Sequence, residues 1–127
     1  MAMRTIKEST AVTTAYTGWV SDSIGVTNRK SIGLFLAFDW TDTEHTITLK
    51  FESEDDEGNW YDINGVTSGT ASLDTVTTPT INGSTADLTI SVDVQHHEEI
   101  RVRALVSTAS STATKMAAKV FYGDLTV

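Results

Sequence analysis

The segment Thr46-Ile47-Thr48-Leu49-Lys50-Phe51-Glu52 alternates without a break. Ile47, Leu49 and Phe51 fall on one side of an extended chain, and Thr48, Lys50 and Glu52 on the other. Successive side chains of a strand point to opposite faces, so this is a strand with one face in a core and one in water. Upstream, Ser31 to Trp40 (SIGLFLAFDW) places Ile32, Leu34, Leu36, Phe38 and Trp40 on one face, and Gly33, Phe35, Ala37 and Asp39 on the other. Apolar groups on both faces predict a central strand covered on both sides.

The same period returns downstream. Leu88, Ile90, Val92 and Val94 alternate with Thr89, Ser91 and Asp93. Ile100, Val102, Ala104 and Val106 alternate with Arg101, Arg103, Leu105 and Ser107, and Met116, Ala118, Val120 and Tyr122 oppose Lys115 and Lys119 in the last stretch, 115–127. No window carries an i, i+3, i+4 stripe. Turn chemistry separates the runs. Asp55-Asp56-Glu57-Gly58-Asn59 closes a hairpin onto a short strand through Trp60, Tyr61 and Ile63, and Asn64-Gly65 and Asn82-Gly83 are hairpin dipeptides. Ala11 to Thr17 and Gly69 to Val76 read as short, Thr-rich edge strands. Ser107 to Thr114 (STASSTAT) is a polar loop, long for a hairpin.

Eight or nine short strands at spacings of about 8–12 residues predict an all-β antiparallel sandwich, jelly-roll or immunoglobulin-like. The 127 residues suit a single domain, 1–127, with Met1 to Thr10 as an extended N-terminal arm.

Composition narrows the function. Nine Lys and Arg against 17 Asp and Glu give a net charge of −8, which repels phosphate backbones and anionic membranes. Neither nucleic acid nor membrane is an expected partner. The absence of cysteine rules out disulfides, thiolate metal sites and a Cys nucleophile. The first ten residues hold Arg4 and Lys7 but none of the roughly 7–15-residue apolar core of a secretory leader, so a soluble chain made in the cytoplasm is expected.

Several clusters invite chemistry, and each has a plainer reading. The acidic run Glu52, Glu54, Asp55, Asp56, Glu57 is rich in oxygens that suit calcium, but its spacing does not match a calcium loop and fits a solvated hairpin tip. On a strand His96 and His97 point to opposite faces, so they share a metal only from a loop, with His45 as the remaining histidine. A polar inter-strand turn explains them as well. Neither nucleophile elbow, zinc-protease helix nor phosphate-cradling glycine loop is present, so a binding protein without cofactor or metal is expected. Arg101 and Arg103 share the water face of their strand, where they suit a partner's carboxylates or this chain's own acids, such as Asp93 or Asp87. Trp40 reads as core, whereas Trp19 and Trp60 suit either the core or a contact surface on which a partner or a sugar ring packs.

Trp19, SIGLFLAFDW at 31–40, LKFESEDDEGNWYDI at 49–63 and IRVRALV at 100–106 together resemble small β-sandwich structural proteins of tailed bacteriophages. The acidic hairpin followed by Trp60 and Asp62 is the most distinctive part, and the resemblance covers residues 16–127. It implies a virion protein, foremost a capsid decoration or head accessory protein on the outer capsid surface. The major capsid protein or other virion proteins are then the partners, and the state a homo-oligomer. The alternative is a glycan- or receptor-binding module of a tail fibre or baseplate. The resemblance carries over no binding residues. On the residues alone, Arg101, Arg103, Trp19 and Trp60 are the candidate contacts.

Overall fold

The computed structural model describes residues 3–40, 46–63, 80–83, 87–107 and 114–122. Their regular structure is entirely strand: β1 (Arg4–Ala11), β2 (Trp19–Val20), β3 (Ile24–Gly25), β4 (Ser31–Asp39), β5 (Thr46–Glu54), β6 (Trp60–Ile63), β7 (Thr80–Asn82), β8 (Leu88–Asp93), β9 (Glu99–Val106) and β10 (Lys115–Tyr122). Every pairing is antiparallel. One sheet has the order β1-β10-β4-β8. The other runs β2-β9-β5-β6, with β3 also on β9 and β7 also on β5. This is the all-β, two-sheet sandwich that the alternation predicts.

The described residues hold ten strands rather than eight or nine because two outer lanes are broken. β2 and β3 both lie on β9, at Ala104–Arg103 and Ile100–Glu99. Ser21 bridges the gap between them, donating its N–H to Val102 O (2.8 Å) and accepting the Val102 N–H on Oγ (2.9 Å). β6 and β7 similarly share one side of β5.

The inward faces are those the alternation assigns. Ile32, Leu34 and Leu36 of β4 lie between Met116, Ala118 and Val120 of β10 and Ile90 and Val92 of β8. Across the sandwich they meet Ile47, Leu49 and Phe51 of β5 and Ile100, Val102, Ala104 and Val106 of β9 in one buried cluster. Each fully buried Leu or Ile contributes about 1.5–3 kcal/mol, so this cluster is the main source of stability. β4 is central in its sheet, as expected, and its outer face is covered in part by the Phe121 ring over Gly33.

Three expectations change. From Arg4 onward the N-terminal segment is an edge strand on β10, not a free arm, because Ile6 and Val12 both reach the core. Register breaks between Thr5 and Lys7 and between Lys7 and Thr10 hide its alternation, and the strand ends at Ala11 rather than starting there. Such irregularity also blunts an edge against pairing with another chain. Asn82-Gly83 does not close a hairpin, since β7 and β8 belong to different sheets and the chain crosses between them. Asn64-Gly65, the Gly69–Val76 strand, His45 and residues 108–113 of the polar loop lie outside the described residues.

Candidate binding face

The outward face of the β2-β9-β5-β6 sheet is assembled by register alone. Glu52 of β5 stands opposite Arg101 of β9 on one side and Asp62 of β6 on the other. Lys50 stands opposite Arg103, and Glu54 opposite Trp60. Because all are even-spaced neighbours on antiparallel strands, their side chains share one surface.

Glu52 is the hub. Its Oε1 accepts the Nε–H of Arg101 at 2.7 Å and of Arg103 at 2.5 Å, and its side chain is only 8% exposed. Burial works against its charge, but the hydrogen bonds and charges of Arg103 and Arg101 outweigh that, holding the carboxyl below its ordinary range. The Arg101 guanidinium lies 4.2 Å from the centre of the Trp60 ring, and Arg103 Nη1 donates to the Tyr16 carbonyl at 3.2 Å. Beside this trio, Lys50 Nζ reaches Asp62 Oδ1 at 3.0 Å and sits 5.1 Å from the centre of the Tyr16 ring. Burial, chiefly, raises the Tyr16 phenol above its ordinary value. The surface is therefore a lattice of cations, carboxylates and aromatic rings locked in place by each other.

The structure thus brings Arg101, Arg103 and Trp60 together and separates Trp19 from them. Trp19 is fully buried, with its Nε1–H donated to the Met116 carbonyl at 2.8 Å. It faces inward opposite Ala104, so it is corrected from a candidate contact to a core residue that ties the two sheets. No sugar platform forms from Trp19 and Trp60, and Arg101 already covers one face of the Trp60 ring. The arginines do use this chain's own acid, but the acid is Glu52. Asp87 accepts the Phe38 N–H, and Asp93 the Gln95 N–H. Trp40 packs against the core and stacks on Phe38 at 5.2 Å.

The acidic tip folds on itself. Asp55 Oδ1 accepts the N–H groups of Glu57 (2.9 Å) and Asn59 (2.8 Å), and Gly58 takes φ +85°, a conformation that favours glycine. These bonds, that of Asn59 foremost, hold the Asp55 carboxyl below its ordinary value. Among the described residues no group of three His, Asp or Glu side chains is placed to hold a metal ion. His96 and His97 lie in the β8–β9 turn, where His97 Nδ1 is 2.7 Å from Ser53 Oγ.

Two members of the face, Glu52 and Tyr16, were not legible as such. Glu52 stood in an acidic run and Tyr16 in an expected edge strand; the pairing of β5 with β9 brings Glu52 to the arginines, and the Tyr16 carbonyl meets Arg103 from the segment before β2, which pairs with β9. No protein-family model matches the chain, and no curated protein matches it in sequence. The fold is similar to that in the crystal structure of the SPBc2 prophage-derived protein YomS, with a TM-score of 0.55 at 12% identity. The match covers 94% of this chain and 89% of that one, and at this identity it speaks for the fold.

Proposed function

We propose that this chain is a structural protein of a tailed-phage virion, a capsid decoration or stabilising protein that binds the major capsid protein. In this reading it is a binding protein, not an enzyme, and resides as a homo-oligomer on the outer capsid surface. The observation that carries the proposal is the likeness of its sandwich, along almost the whole chain, to a prophage-derived protein. The outward lattice supports it. A partner meeting Trp60, Arg101 and Arg103 finds both arginines already held by Glu52 and the Trp60 ring under Arg101, so little rotamer entropy remains to be lost on binding. Trp and Arg are also the residue types that dominate interface energetics.

Co-sedimentation of the purified chain with purified capsids of its phage is the test. Saturable pelleting is expected, weakened about tenfold or more, or by about 1.4 kcal/mol, by Trp60→Ala or Arg101→Ala. A chain that stays in the supernatant at every capsid concentration contradicts the proposal.

A further inference from the structure

Two non-glycine residues among those described have left-handed backbone: Asn28 at φ 59° and His96 at φ 72°. They lie in different connections yet line the same pocket, of about 360 Å³. Each is the third residue of a tight turn. Arg29 N–H bonds to Val26 O at 3.0 Å, and His97 N–H to Val94 O at 3.2 Å. Both turns cross between the sheets, from β3 to β4 and from β8 to β9. They are fastened side by side, Val26 N–H to Glu98 O at 2.8 Å and Val94 N–H to Lys30 O at 3.0 Å, over the buried Val26 and Val94 side chains. The pocket is therefore held between two matched, cross-linked turns at one end of the sandwich.

Glycine would adopt both left-handed conformations without steric cost, yet each position carries a hydrogen-bonding side chain at the pocket wall. The remaining lining defines the ligand chemistry. Thr27, Asn28 and Gln95 each both donate and accept hydrogen bonds. Arg29 supplies a positive group and Glu98 a negative one, so neither an anion nor a cation meets a uniform field. Burial, and then the neighbouring His96, push His97 below its ordinary value, which keeps that imidazole neutral at pH 7. An apolar ligand would strip water from these groups and return no hydrogen bonds. Vicinal hydroxyls, each both donor and acceptor, match them.

We propose that the paired turns form a binding site for a neutral saccharide unit, with Asn28, Gln95 and His96 as its principal contacts and Arg29 and Glu98 at its flanks. This site is separate from the Trp60–Arg101 face and does not depend on capsid binding.

The test is an NMR titration of the isotope-labelled full chain, separately with glucose, galactose, rhamnose, N-acetylglucosamine and, as an anionic control, acetate. At least one sugar is expected to give saturable amide shifts confined to Thr27–Arg29 and Gln95–Glu98. His96→Gly, which relieves the backbone, should weaken that binding about tenfold while leaving the melting temperature unchanged or higher. Gln95→Ala should weaken it with little change in melting temperature. The proposal is overturned if no sugar shifts these amides, if acetate alone does, or if both variants bind as the parent chain does.

Discussion

Trp19 and Trp60 show how differently one residue type is used in this chain. Trp19 faces inward with its indole N–H satisfied, whereas Trp60 lies on the outward lattice under Arg101. Trp19→Ala should cost about 3–5 kcal/mol, the usual range for emptying a large buried aromatic site, and leave the Met116 carbonyl without its donor. Trp60→Ala removes a cation–aromatic contact worth about 1 kcal/mol and should leave a folded chain. Urea denaturation of both variants checks the contrast, and equal losses would contradict the assignment. The sequence left both tryptophans open between core and surface. Trp19 is held by a strand of two residues, too short to show a period, and its partner Met116 is distant in the chain. Trp60, by contrast, lay beside a recognisable turn.

Among the elements, β4, β5, β8, β9 and β10 were legible because each carries an alternating apolar face at least five residues long. β1 was not, since its register breaks destroy the period, and neither were β2 and β3, which Ser21 to Ser23 interrupt. The pairing of β4 with β10 offers a direct test of a close approach. A methyl group on Gly33 would come within 2.1 Å of Phe121 Cζ, so the ring must swing away. Gly33→Ala alone should destabilise by about 1–3 kcal/mol, as overpacking does. In a Phe121→Ala background the same change should be neutral or stabilising, because strand glycine is costly and the obstruction is gone. Additive effects in this double-mutant cycle would show that the ring does not depend on Gly33.

At the scale of the whole molecule, charge sets the response to acid. His97 has a depressed value in the fold, so the unfolded chain takes up that proton first. Its contribution is complete above the ordinary value of 6.5 and is lost as pH falls below it. Glu52 is also depressed, and its contribution is present above the ordinary value of 4.5 and lost as pH falls through the lower folded value. Acidification also reduces the repulsion of a chain carrying −8 charges, so the two local losses are read against variants that share this background. Urea midpoints followed with pH should show the loss just below 6.5 flattened in His97→Gln, and the later loss flattened in Glu52→Gln. Parallel curves for parent and variants would show that neither group sets the acid response.

The proposed capsid-facing surface was only half legible: Arg101, Arg103 and Trp60 were named by residue type and face, but Glu52, which holds the two arginines, appeared only with strand pairing. Hydroxyl-radical footprinting of the chain, free and bound to capsids, tests that surface directly. Protection of Trp60 and Tyr16, with Phe35 and Phe121 of the opposite sheet unchanged, is the predicted result. Protection of Phe35 and Phe121 with Trp60 oxidised equally in both states would contradict it.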